Sequence, residues 1–214
     1  MLSIRFIFIG EGASDSGLIA HLETLCVELG ADIVTGVAFD IGMLTANAPR
    51  TVESKLSTAL KLEPNANLIF VHRDADGLDP APRYREIADA FAATGTDKNH
   101  VSVVPVQETE AWILLDENEI RKVAGRPGGR INLNLPRPSQ VESVSSPKER
   151  LKAALLLAAE LTGRRRARFA SDFSTHRRLL LNRLPTGGDL AVVPSWMKLR
   201  SDLDAALQRI SEGD

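Results

Sequence analysis

The strongest constraint on this chain is the regular alternation, through its first half, of short β-rich apolar runs with amphipathic helical segments. "IRFIFIG" (4–10) reads as a buried strand, and "DSGLIAHLETLCVELG" (15–30) as a helix with Leu18, Ile19, Leu22, Leu25, Cys26 and Leu29 at its apolar positions and Gly30 closing it. "DIVTGVAFD" (32–40) supplies a second strand, and "TVESKLSTALKL" (51–62) a second helix with Thr51 as its N-cap. "NLIFVHRDADG" (67–77) is the third strand, "PRYREIADAFAATG" (82–95) the third helix with Pro82 in its first turn, and "HVSVVPVQ" (100–107) the fourth strand. Strands separated by single helices make βαβ units, so the pattern predicts an α/β fold with a parallel four-stranded sheet flanked by helices.

Beyond the fourth strand the period becomes helical. "ETEAWILLDENEIRKVAG" (108–125) is expected to be one helix, with Trp112, Leu115 and Ile120 on a buried face and Gly125 at its end. The stretch 126–147 is dense in Pro, Gly, Ser and Asn and reads as a loop or linker. Helical patterning resumes at "KERLKAALLLAAELTG", and "SWMKLRSDLDAALQRI" (195–210) forms a final amphipathic helix. The organisation expected is a core over 1–125, a linker over 126–147 and a basic helical C-terminal extension over 148–214 packed on the core.

The Lys and Arg residues number 26 against 28 Asp and Glu, so no global positive field advertises nucleic-acid binding. A local patch is required instead, and "GRRRARF" (163–169) with "THRRLLLNR" (175–183) crowds basic residues into the last third. Cys26, the only cysteine, excludes an intramolecular disulfide and a cysteine-built zinc site, and fits a small core residue in a reducing cytosol. The N-terminal apolar run is far too short to span a membrane and is followed at once by Glu11, so a strand is expected there and the cytoplasm is the default location.

In open parallel sheets, ligands bind at the carboxyl ends of the strands. Acidic residues occupy that edge: Glu11 follows the first strand in "GEGASD", Asp74 and Asp76 follow the third in "HRDADG", and Glu108 and Glu110 follow the fourth in "QETEAW". Two carboxylates so close repel one another unless a cation lies between them or the segment is an exposed turn. Carboxylate oxygens are the hard ligands Mg²⁺ prefers, and two such ions are used in nucleases and polymerases to activate water and stabilise a leaving oxygen. The bland alternatives remain open. D-x-D before Gly77 is also a turn signal, Asp15 also fits an N-cap, and Glu108 and Glu110 also favour a helix N-terminus. Trp112 and His72 read as a packing residue and a hydrogen-bonded structural residue. Asp79, before Pro80, reads as part of the exit turn. The glycines around Glu11 do not complete a dinucleotide fingerprint, which fails at Asp15. "DADGLDPAPRYR" lacks the glycine and closing glutamate of a calcium loop.

Taken together, the element order, the Glu in a G-E-G turn after the first strand and the D-x-D after the third resemble the Toprim domain shared by type IA and type II topoisomerases, primases and OLD-family nucleases. "EGASD", "HRDADG", "VPVQETEAWILLD" and "SSPKERLKAAL" resemble in particular a small bacterial Toprim-like family of unknown function, often encoded beside an ABC/SMC-type ATPase in phage-defence loci. The resemblance implies a Toprim-like, Rossmann-like catalytic core. In it Glu11 is metal ligand or general acid/base, Asp74 and Asp76 bind Mg²⁺ (or Mn²⁺), and Glu110, Glu108 and Asp15 complete the acidic set. It also implies that Lys148 contacts phosphate. Arg164, Arg165, Arg166, Arg168, Arg177 and Arg178 are then phosphate-backbone contacts, against the alternative of a solvated helix face. The one tyrosine, Tyr84, matches no topoisomerase nucleophile.

The function expected is Mg²⁺-dependent hydrolysis of DNA or RNA phosphodiester bonds by an effector of phage defence. The competing readings are a catalytically weak module that binds nucleic acid or an ATPase partner, and a metal-dependent nucleotidyl or glycosyl transferase.

Overall fold

The computed structural model describes residues 1–39 and 51–213, and the chain is α/β. Its contacts fall into two compact units. The first comprises Met1–Ala75, Asp79–Val104 and Met197–Asp214, and the second Asp76–Leu78 and Pro105–Trp196. The division thus follows the end of the fourth strand rather than the Pro-rich stretch.

The first unit is built on β1 (Ser3–Ile9), β2 (Ile33–Ala38), β3 (Leu68–His72) and β4 (Asn99–Val103). Among the described residues they form one four-stranded sheet in the order β2-β1-β3-β4, every pair parallel. Burial follows this order. β3 is buried along its whole length and β1 from Phe6 onward, because both have strands on either side and helices on either face. The edge strands β2 and β4 are only partly covered. β4 stops at Val103, short of the expected 107, since Pro105 has no N–H for a ladder. The expected end of the second strand, Asp40, lies outside the described residues.

Strand alternation sorts the core into two layers. Ile7, Ile9, Ile69 and Val71 pack with Val52, Leu56 and Ala59 of α2 (Val52–Leu62) and Ile87, Ala90 and Phe91 of α3 (Ala81–Thr94). The alternate positions include Phe6, whose ring meets Phe70 edge-on at 4.9 Å, and Phe8, stacked 6.3 Å from His72. α1 (Ile19–Glu28) packs against β2 and buries Leu22, Leu25 and Cys26. Burial, then the neighbouring Glu23 charge, pushes the Cys26 thiol up to about 12, as expected of an inert core cysteine.

Local signals set the helix ends. The Thr51 side chain accepts from Ser54 N at 3.2 Å as the N-cap of α2, and Gly95 ends α3 at φ 65°. Residues 15–18, expected as the start of the first helix, belong instead to a 3-10 turn, Ala13–Leu18. Asp79 Oδ1 accepts from Ala81 N at 2.9 Å, as an exit-turn residue should.

The second unit is helical: α4 (Glu110–Ile113), α5 (Glu117–Val123), α6 (Pro147–Ala158), α7 (Gly163–Ser171) and α8 (Phe173–Leu181). The single helix expected over 108–125 is two, because Asp116 takes the N-cap position and its Oδ1 accepts from Glu119 N at 3.0 Å. α4 and α5 pack against α6 and α8. Trp112 is the packing residue expected: it is 1% exposed, meets Trp196 edge-on at 5.0 Å and donates from Nε1 to Ser195 Oγ at 2.9 Å. The stretch 126–147 contains a 3-10 turn, Pro138–Ser143, anchored by the fully buried Val141.

The last helix, α9 (Pro194–Glu212), contributes its residues from Met197 onward to the first unit. Among the described residues no helix is long and apolar enough to cross a membrane.

Candidate functional site

The strand order places a topological switch point between β1 and β3. The chain leaves β1 for β2 on one side of the sheet, and β3 lies on the other side of β1. Crevices at the carboxyl ends of two such strands are where open α/β sheets bind ligands. Glu11 follows β1 and Asp74 follows β3, and Asp74 N donates to Glu11 Oε1 at 3.2 Å, so two of the expected site residues are neighbours.

The loop carrying Glu11 is held from several directions. Lys55 of α2 donates from Nζ to Gly10 O at 2.8 Å and Glu11 O at 2.9 Å. A Cβ at Gly10 would lie 3.1 Å from the Phe8 ring and 3.2 Å from Asp15 Cβ, so glycine lets the chain turn close to the strand end. Arg73 Nε pairs with Glu11 Oε1 at 3.1 Å, and its Nη1 lies 3.4 Å from Glu86 Oε1. Arg83 Nη1 reaches the other Glu86 oxygen at 3.0 Å, and Arg83 Nε donates to Asp74 O at 3.0 Å.

His72, which either strand face would have suited from sequence, points to the layer containing Phe8 and meets two carboxylates. Its Nδ1 lies 3.5 Å from Asp15 Oδ2 and its Nε2 3.4 Å from Asp74 Oδ1, with the side chain 1% exposed. Burial alone would lower its pKa. The interactions with the Asp15 and Asp74 carboxylates on either side of the ring outweigh that and raise it to about 9. An imidazolium is thus held between the two acids at neutral pH. Asp15 is the third residue of the 3-10 turn rather than an N-cap. Its Oδ2 accepts from Gly12 N at 3.0 Å and its Oδ1 from Ser14 Oγ at 3.2 Å.

The repulsion between clustered carboxylates is therefore relieved by protein cations. Glu11, Asp15, Asp74 and Glu86 are interleaved with His72, Arg73 and Arg83. Among the described residues no group of three or more His, Cys, Asp or Glu side chains is arranged to hold a metal ion. The donor chemistry of the Glu11–Asp74 pair nonetheless fits a hard divalent cation. Both donors are carboxylates, their side chains are 32% and 17% exposed, and Mg²⁺ commonly binds through one or two carboxylates with water in its remaining positions.

The remaining expected residues belong to the second unit. Asp76 is exposed at φ 53° and donates its N–H to Gln107 O at 2.8 Å, while Gln107 N returns a bond to Gly77 O at 3.0 Å. Glu108 Oε2 accepts from Lys148 N at 3.0 Å, the first turn of α6. Glu110 is 3% exposed and its Oε1 accepts from Arg177 Nε at 2.6 Å, so Arg177 is committed to an internal ion pair rather than displayed to solvent. Arg164, Arg165, Arg166 and Arg168 lie on α7, a helix with no buried residue, and Arg178 is also exposed. Arg166 Nη1 donates to Leu156 O at 3.2 Å, and Phe169 stacks on His176 at 4.1 Å.

Sequence reading missed Arg73, Arg83, Glu86 and Lys55 as parts of the site. Arg73 sits inside "HRDAD" and was within reach of that motif. The others come from helix faces whose charge reads as solvated until the fold places them at the strand ends. No protein-family model, no curated protein and no solved structure matches this chain.

Proposed function

We propose that the crevice at the ends of β1 and β3 is the centre of a Mg²⁺-dependent, Toprim-type phosphodiester hydrolase acting on DNA or RNA. The observation that carries the reading is the Asp74 backbone N–H donating to the Glu11 carboxylate, which makes the two residues neighbours at the switch point of a parallel sheet. Glu11 and Asp74 are the residues that would hold the cation. When bound, such an ion polarises a phosphoryl oxygen and lowers the pKa of water.

The chain's own groups supply the rest. The Glu11 carboxylate accepts the proton of the attacking water as the new P–O bond forms, and the bond to the leaving sugar oxygen breaks, that oxygen being protonated from solvent. His72 lies between Asp74 and Asp15 as their shared counter-ion, and Lys55 fixes the Glu11 backbone. The Toprim resemblance alone implies roles for Asp76, Glu108, Glu110 and Lys148; they belong to the second unit and are not part of the proposed centre. The exposed arginines of α7 with Arg178 are the proposed backbone-binding face, since phosphate contacts need charge and reach. A part in phage defence beside an ABC/SMC-type ATPase follows from the resemblance alone.

A second reading is a binding module without catalysis, and the Arg73–Glu11 ion pair favours it, because a protein cation already neutralises the central carboxylate. Plasmid and single-stranded substrates incubated with Mg²⁺ or Mn²⁺ separate the two. Cleavage by the native chain that is lost in Glu11→Gln and in Asp74→Asn supports the hydrolase. Cleavage unchanged in both variants, or absent from the native chain with every substrate, refutes it.

A further inference from the structure

We propose that Arg73 is a built-in counter-ion that competes with a divalent cation for Glu11, and that Glu86 receives its guanidinium when the cation binds. This rests on the metal-dependent reading above and adds to it how the site is kept charge-balanced before loading. Arg73 follows β3 directly and is only 18% exposed, so its charge is confined near the strand ends. Nε lies 3.1 Å from Glu11 Oε1 and Nη1 3.4 Å from Glu86 Oε1, so one guanidinium already lies within ion-pair distance of two carboxylates. The Glu11 contact is the shorter, and the same oxygen accepts Asp74 N.

A hard cation on Glu11 would sit about 2 Å from a ligand oxygen. That brings its double charge close to the guanidinium, and like charges in a partly buried site are weakly screened. Glu86 offers the alternative. It is shared with Arg83, whose Nε is anchored on Asp74 O, so a carboxylate remains beside Arg73 if the Glu11 contact opens. The cost of loading is then set by how well Glu86 competes with Glu11 for Arg73.

The test is Mn²⁺ binding by calorimetry and by the electron paramagnetic resonance of free Mn²⁺, which reads affinity without any activity. It uses the full chain and the variants Arg73→Gln, Glu86→Gln, their combination and Glu11→Gln. Arg73→Gln is expected to tighten Mn²⁺ binding about tenfold, in keeping with one like charge removed from a partly exposed site. Glu86→Gln is expected to weaken it severalfold, and to have no effect once Arg73 is already glutamine, because Glu86 acts through Arg73.

Binding that Glu11→Gln abolishes but that Arg73→Gln leaves unchanged or weakens overturns the counter-ion proposal while keeping the metal site. So does a Glu86→Gln effect that persists beside Arg73→Gln. Absence of Glu11-dependent binding in both the native chain and Arg73→Gln overturns the metal reading itself. Should Arg73→Gln unfold, as far-UV circular dichroism would show, the direction of the Glu86→Gln effect decides: weaker binding supports the proposal and unchanged or tighter binding overturns it.

Discussion

Replacing Arg177 with methionine should destabilise the second unit by about 3–5 kcal/mol, the usual cost of leaving a buried charge without its partner. Glu110 and Arg177 have side chains only 4% and 13% exposed and meet at 2.6 Å, across sixty-seven residues of sequence. Methionine keeps much of the aliphatic bulk, so the loss is electrostatic rather than a cavity. With a urea slope of about 2 kcal/mol/M, the unfolding midpoint should fall by roughly 2 M.

Tryptophan fluorescence is the natural probe, because both tryptophans of the chain, Trp112 and Trp196, pack together in this unit. Adding Glu110→Gln should restore most of the loss, since a pair replaced on both sides often costs little while a half-removed pair costs most. A midpoint shift in Arg177→Met equivalent to less than about 1 kcal/mol, or a double variant no better than the single one, would show that the ion pair does not govern this packing.

His72 gives a pH dependence of known sign. Its folded pKa is raised to about 9, so the stability it supplies is fully present below the unfolded value near 6.5 and is lost as pH rises through 9. In metal-free protein the urea midpoint should drop over that window, by an amount corresponding to at most about 3 kcal/mol, and His72→Gln should remove the drop. An identical slope in both proteins would show that the contacts to Asp15 and Asp74 do not hold the proton. Gly36→Ala should cost about 1–3 kcal/mol, because its Cβ would fall 2.3 Å from Phe6 Cζ and 2.8 Å from Ile19 Cγ2. Thermal unfolding within 1 °C of the native protein would refute that packing argument.

Much of the first unit was legible in the sequence because its signals are local. Thr51 capping its helix, Gly95 closing another and the apolar periods of the strands all act within a few residues, and they specify a βαβ series and hence a parallel sheet. The break at Asp116 was legible too, in the polar run Asp116–Glu119 that interrupts the apolar positions between Leu115 and Ile120.

What only the tertiary structure decided is which side chains meet. Strand order brings Glu11 beside Asp74 and puts His72 between Asp74 and Asp15, and helix packing carries Arg177 to Glu110 and Arg73 to Glu86. Long-range ion pairs leave no spacing in sequence, because each partner needs only a charge and a reach that the fold alone supplies. The sequence by itself determined that Glu11 and Asp74 would follow the first and third strands. The tertiary structure decided that protein cations, rather than the acids' own repulsion, set their charge balance.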